Sequence, residues 1–226
     1  MHCAFDAYGT LFDVAAAARQ AAGEPGSGQL ADSWQEVAAD WRARQLRYSW
    51  LRAVTGDHAD FWQVTIDALD WALEASGLSG DTGLRDRLLD IYWRLPAYGE
   101  VVPVLSELGR NGHKVAILSN GSPDMLDAAV SAAGIGNLVD AVLSVETVGV
   151  FKPHHSVYEL VTGHFGCGKP DVLFVSSNGW DAAAASGFGF RTVWVNRSGE
   201  PEERLPWRAW RTVGDLARIP ELASST

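Results

Sequence analysis

Four short polar clusters each follow directly on an apolar run: Asp6-Ala7-Tyr8-Gly9-Thr10, Ser119-Asn120-Gly121, Lys152-Pro153 and Ser176-Ser177-Asn178-Gly179-Trp180-Asp181. Together they offer carboxylates, an ammonium, hydroxyls and a carboxamide. A carboxylate is ionised at neutral pH and can serve as a nucleophile, giving a covalent ester that water later cleaves. Lys152 beside such a carboxylate would balance its charge and hold its orientation. Thr10, one short turn beyond Asp6, could hydrogen-bond an Asp6 oxygen. Taken singly, Ser119, Asn120 or Asn178 could be no more than a turn or helix-cap residue. Taken as a set converging on one rim, they are hard to explain as caps or packing.

The elements that would bring them together are legible as alternating textures. Short apolar runs at 2–5, 115–118, 139–143, 172–175 and 192–195 read as strands, and 101–110, 123–133, 157–165 and 181–186 read as helices between most of them. Strands alternating with helices imply right-handed crossovers and a parallel sheet covered on both faces. In such sheets ligands bind beyond the carboxyl ends of the strands, where the polar clusters fall. Only five residues precede Asp6, so the first strand is expected to be short.

A helical block at 33–93, holding six of the ten tryptophans, interrupts this pattern after the first strand. Trp34, Val37, Trp41 and Tyr48 share one helix face, as do Phe61, Val64, Ala68 and Ala72 in a second run and Leu84, Leu88, Ile91 and Leu95 in a third, ended by Pro96. The plain reading of the Trp stripe is core packing. The fold class is α/β: a Rossmann-like parallel-sheet core of residues 1–22 and 97–226, with an inserted all-helical cap of residues 23–96. Gly- and Pro-containing stretches at 23–28 and 95–99 are the expected hinges.

Bulk properties narrow the partners. A net charge of −10 over 226 residues leaves no surplus of Lys and Arg for a nucleic acid, while one local cation can still recruit a small anion. Cys3 and Cys167 lack CxxC spacing or nearby His clusters, so neither zinc nor a disulfide framework is expected; free thiols in a reducing cytoplasm are. Asp6 interrupts the start before any leader-like apolar run forms, and no apolar stretch reaches the roughly 18 residues of a membrane span.

The segments FDAYGTLFD, LSNGS, FKPHHSVYEL and FVSSNGWDA resemble, in the right order, the four signature segments of the haloacid dehalogenase superfamily. More narrowly they resemble its L-2-haloacid dehalogenase (type II) branch, and the cap segments WRARQLRYSWLR and ADFWQVTIDALDWAL extend the likeness over nearly the whole chain. Phosphatases of this superfamily place a second Asp two residues after the first, as general acid and neighbour of Mg²⁺. Here that position is Tyr8, and Ser176-Ser177-Asn178 intervene before Asp181. A departing halide needs no proton, and a lost carboxylate weakens a Mg²⁺ site, so the expectation is a site without metal or cofactor.

What the resemblance implies is hydrolytic dehalogenation of short L-2-haloacids to D-2-hydroxy acids, with Asp6 as nucleophile and inversion at C2. The 2-halocarboxylic acid would be held by Ser119 with backbone N–H groups near Leu11 and Asn120. Arg42 on the cap would accept the halide ion; with Arg44, Arg47 and Arg52 following closely, residue type alone makes it a solvated helix arginine. Asn178 and Asp181 would orient and activate the water, assisted by Lys152 and Ser176, although Asp181 could instead cap the next helix. Tyr158 would contact this network through its hydroxyl, core packing of its ring being the other reading. Trp180, Leu46 and Phe61 would wall the alkyl group. His154 and His155 read as surface residues, and no chemistry is assigned to 200–211. The branch further implies a cytoplasmic homodimer joined through cap helices. Two rivals are a metal-dependent phosphatase of the same superfamily and a non-catalytic anion-binding descendant.

Overall fold

The computed structural model describes residues 1–225. Its centre is a six-stranded sheet in the order β3-β2-β1-β4-β5-β6, parallel throughout. The strands are β1 (His2–Phe5), β2 (Lys114–Ser119), β3 (Ala141–Ser144), β4 (Val172–Ser176), β5 (Arg191–Val195) and β6 (Arg211–Val213). β1 is short, as expected, yet it is central: Cys3 pairs with Val115 on one side and Leu173 on the other. Cys3, Ala4 and Phe5 are fully buried, the continuous apolar run that a doubly covered parallel strand requires.

Helices α5 (Val101–Arg110), α6 (Pro123–Ala132), α7 (His155–Phe165) and α8 (Gly179–Phe188) alternate with the later strands, and α9 (Ile219–Ser224) packs on α5. β6 has no counterpart among the expected strands. It has three residues, two of them exposed, too few for an alternation to register.

Between β1 and α5 lie α1 (Ala16–Ala22), α2 (Leu30–Thr55), α3 (Phe61–Ala75) and α4 (Thr82–Trp93). Their ends follow from local chemistry. Asp60 and Asp81 accept the Gln63 and Leu84 N–H groups at 3.0 and 2.9 Å as N-caps of α3 and α4. Gly56, at φ +72°, ends α2 in the left-handed conformation that glycine tolerates. α2 packs along α3, and α1 lies against α2 and α4. Val37, Trp41, Phe61, Val64, Ala68, Ala72, Leu88, Ile91 and Leu95 are buried, as their spacing predicts. The Trp stripe is less uniform: Trp41 is core, whereas Trp50 is 37% exposed beside exposed Leu51 and Val54.

The two chain crossings between the helices and the sheet run side by side. Asp13 N–H donates to Pro96 O at 3.0 Å and Tyr98 N–H to Leu11 O at 3.0 Å. Cys3 and Cys167 are free thiols. Among the described residues, no helix is long and apolar enough to cross a membrane.

Candidate active site

Asp6 continues the β1 ladder by one residue, its N–H donating to Val175 O at 2.9 Å, so its side chain emerges at the carboxyl rim of the sheet. Oδ1 accepts Lys152 Nζ at 3.0 Å. Oδ2 accepts Asn178 Nδ2 at 2.8 Å and Thr10 Oγ1 at 2.9 Å, with Ser176 Oγ at a longer 3.4 Å. Thr10 Oγ1 also accepts the Ser177 N–H at 2.7 Å; its single proton has Asp6 Oδ2 at 2.9 Å and Ser177 Oγ at 3.1 Å in reach, and the nearer, charged oxygen is the stronger acceptor. Gly9, at φ +91°, makes the turn between them, and a Cβ there would stand 3.1 Å from Ser177 Oγ.

Lys152 is 1% exposed, and its ammonium joins Asp6 to Asp181 Oδ2 at 2.9 Å. Asp181 Oδ1 accepts the Tyr158 hydroxyl at 2.7 Å. The Asp181 carboxylate thus bonds Lys152 and Tyr158 and caps no helix N–H. Both readings of Tyr158 hold: its hydroxyl joins the network, and its ring is buried against Phe174, Phe188 and Phe190. Burial raises Asp181 above the usual carboxylate range; Lys152 opposes this and Asp6 reinforces it. Burial works to lower Lys152, but Asp181 and Asp6 outweigh it and the ammonium is held above its ordinary value. Tyr158 is driven well above 10 by burial, then by Asp181.

Ser119 and Asn120 follow β2. Ser119 Oγ accepts the Gly121 N–H at 3.0 Å, and Asn120 Oδ1 accepts the Lys152 N–H at 2.9 Å, which fixes the lysine's backbone. Gly121 has no room for a side chain, because a Cβ would lie 2.8 Å from the Tyr8 ring. From α2, Arg42 reaches across: Nη2 donates to Tyr8 O and to Asn178 Oδ1, each at 3.2 Å, and Nη1 to Gln45 Oε1 at 2.7 Å. Gln45 in turn donates to Thr65 Oγ1 at 2.7 Å and Tyr92 OH at 3.0 Å. Arg42 is thus oriented by residues of α2, α3 and α4. Sequence reading missed Gln45, although it lies four residues after Trp41 on the buried stripe, where a polar side chain must have partners.

These groups surround a narrow cleft lined by Asp6, Tyr8, Arg42, Leu46, Phe61, Ser119, Asn120, Lys152, Asn178 and Trp180. Thr10, Tyr158, Ser176 and Asp181 stand behind this wall. Leu11 departs from expectation: its side chain is fully buried outside the cleft and its N–H is taken by Ala7 O at 2.8 Å. Among the described residues, the amides of Tyr8 and Asn120, which do line the cleft, donate to no backbone carbonyl outside the helices and strands. His154 is exposed and caps α7, and His155 is exposed against Phe188.

Lys152 in the cleft wall is paired with both Asp6 and Asp181, whereas Arg42 bonds only the uncharged oxygens of Gln45, Tyr8 and Asn178 and so brings an unbalanced cation to the cleft of a protein of net charge −10. The cleft suits a small monoanion. Tyr8, raised well above 10 by burial and by Tyr92, contributes no carboxylate where a second acid would stand. The Lys152 ammonium fills the space between the two carboxylates, and no three His, Cys, Asp or Glu side chains among the described residues converge as metal ligands. The site does not fit a divalent cation.

Residues 1–189 match the model of the haloacid dehalogenase-like hydrolases. The chain is 46% identical over 220 residues to a (S)-2-haloacid dehalogenase of Pseudomonas sp. (strain YL), covering 97% of this chain and 92% of that one. It is 41% identical over 220 residues to (S)-2-haloacid dehalogenase 1 of Pseudomonas sp. (strain CBS-3), covering 97% and 95%. Among solved structures it superposes on the L-2-haloacid dehalogenase of Xanthobacter autotrophicus with chloropropionic acid covalently bound, at a TM-score of 0.87, 38% identity and coverage of 100% and 98%. This chain belongs to the haloacid dehalogenase-like hydrolases, in the group of the (S)-2-haloacid dehalogenases.

Proposed function

We propose that this protein hydrolyses short L-2-haloacids to D-2-hydroxy acids through an ester formed on Asp6. The observation that carries the reading is the Asp6 carboxylate, held by Lys152, Thr10 and Asn178 in a cleft with the Arg42 guanidinium among its walls. An Asp6 oxygen attacks C2 opposite the halogen. The C–O bond forms as the carbon–halogen bond breaks, and halide leaves with its electron pair toward Arg42. Ser119, with the Tyr8 and Asn120 amides, holds the substrate carboxylate, and Leu46, Phe61 and Trp180 enclose the alkyl group.

Water then attacks the Asp6 carboxyl carbon, oriented by Asn178 and Ser176. Its proton passes to Asp181, which burial makes a stronger base than an ordinary carboxylate. The ester C–O bond breaks, the product alkoxide is protonated, and the balance is haloacid plus water to hydroxy acid, halide and one proton. C2 is inverted once and untouched in the second step.

The helical residues 23–96 act as the cap that supplies Arg42, and residues 1–22 and 97–226 as the core that supplies the nucleophile. Exposed Trp50, Leu51 and Val54 on α2 support a homodimer through the cap, and two free thiols suit a reducing cytoplasm.

The test is halide release from chloro-, bromo- and fluoroacetate and from both 2-chloropropionate enantiomers with EDTA present. Turnover of the L enantiomer, undiminished by EDTA, is expected. Activity confined to the D enantiomer, or abolished by EDTA, overturns the assignment. A single turnover in ¹⁸O-water should label Asp6; label in the first-turnover product would mean direct attack by water.

A further inference from the structure

We infer that Arg197, in the loop after β5, is a positioning residue that holds the nucleophile turn from behind through Thr10. The turn from Asp6 to Phe12 is closed by its own backbone: Gly9 N–H bonds Phe12 O, and the amides of Thr10, Leu11 and Phe12 all point to Ala7 O. Such a turn is rigid internally but can tilt as a unit unless its outer side is tied down. Two carbonyls make that tie. Leu11 O accepts the Tyr98 N–H at 3.0 Å, and Thr10 O accepts Arg197 Nη2 at 3.0 Å.

Arg197 is itself fixed. Its side chain is only 19% exposed, its guanidinium lies 3.7 Å over the Tyr98 ring, and Nη1 stands 2.6 Å from Glu100 Oε1, an ion pair off the line of an ideal hydrogen bond. One planar cation therefore meets the nucleophile turn, the second chain crossing at Tyr98 and the start of α5 at Glu100. A solvated surface pair would position nothing; a guanidinium stacked on a ring and bonded to a turn carbonyl is a fixed strut.

Thr10 passes the restraint inward. Its carbonyl is held by Arg197, and its hydroxyl, held by the Ser177 N–H, donates to Asp6 Oδ2. Releasing the carbonyl lets the turn tilt and carries the Asp6 carboxylate off the line of attack. A misplacement of about 1 Å can cost on the order of a hundredfold in rate. Of the proposed substrate contacts only the Tyr8 amide lies on this turn, while Ser119, the Asn120 amide and Arg42 lie off it, so binding should change much less than rate.

The inference rests on the proposed reaction at Asp6, and the test separates the two. Arg197→Met removes the cation at similar length. Arg197→Lys keeps a charge beside Glu100, but one ammonium on a shorter stem cannot also span to Thr10 O. In both variants kcat for L-2-chloropropionate should fall about ten- to a hundredfold, with KM within about threefold of wild type. The fall should already appear in first-turnover halide release. Arg197→Lys should melt within a few degrees of wild type, so it decides the matter if Arg197→Met does not fold. A kcat for Arg197→Lys within twofold of wild type, or a loss confined to KM or to the melting temperature, overturns the role. An inactive wild-type protein would instead overturn the reaction itself.

Discussion

Lys152 carries one positive charge between two carboxylates in a site it can leave only by breaking both contacts. Its removal tests the site at the scale of single residues. Lys152→Met would leave Asp6 and Asp181 buried and uncompensated, a defect that costs about 3–5 kcal/mol when one partner of a buried pair is lost. Urea unfolding at pH 7 should show that loss, and halide release should fall on the order of a thousandfold as nucleophile and water-activating acid lose their common anchor. A variant as stable and as active as wild type would show that the ammonium is a bystander. Asp6 and Lys152 were legible as polar residues directly after apolar residues, and Asn178 and Asp181 as members of the polar cluster that follows the run at 172–175. Leu11 was misplaced for the converse reason: which backbone amides stay free depends on the closure of the turn, and Ala7 O takes three of them. Residue types carry no trace of that.

At the scale of elements, α2 must present Arg42 to the sheet rim, and its register is set by a polar knot. Gln45 sits one turn beyond Arg42 and binds Thr65 of α3 and Tyr92 of α4. Gln45→Leu should cost about 1–3 kcal/mol, because the Tyr92 hydroxyl and one Arg42 N–H lose their partner in a buried setting. Activity should drop about tenfold as the guanidinium gains freedom. Thermal melts and halide release measure the two effects; full activity in a destabilised variant would mean Gln45 serves the helix packing alone. The segment before β6 teaches the limits of pattern reading. Trp207 packs flat on α8 at Gly187, where a Cβ would lie 2.4 Å from the ring, and Trp194 Nε1 donates to Ser177 O at 3.1 Å. These contacts brace the helix that carries Asn178 and Asp181. In sequence they are a lone glycine and isolated tryptophans with no period, so only the fold reveals the brace. The central strands of the sheet layer were legible as continuous apolar runs and its helices by their period; β6, three residues with two of them exposed, offers neither.

At the scale of the whole molecule, several buried groups share one response to pH. Burial holds Tyr8, Tyr92 and Tyr158 above their ordinary 10.0 and pushes the Cys3 thiol from 9.0 up to about 12. Lys152 is held above 10.5 because its two carboxylates outweigh burial. Each of these groups keeps its proton more tightly in the folded chain than in the unfolded one. The stability each contributes is therefore fully present below its unfolded value and lost as pH rises through its folded value. The window opens near pH 9 with Cys3 and steepens beyond pH 10 with the tyrosines and Lys152. Each proton withheld by the fold tilts stability by about 1.4 kcal/mol per pH unit. Asp181, also raised, follows the same sign in a lower window: its share is complete below 3.8 and is lost as pH climbs through its folded value. The urea midpoint should therefore fall ever more steeply from pH 9 to pH 11. In Cys3→Ala the first part of that fall should disappear, moving the onset to about pH 10, and the later slope should be shallower by one proton's share, about 1.4 kcal/mol per pH unit. A midpoint that stays level to pH 11, or a Cys3→Ala profile that superposes on wild type between pH 9 and 10, would show that these protons are not held by the fold.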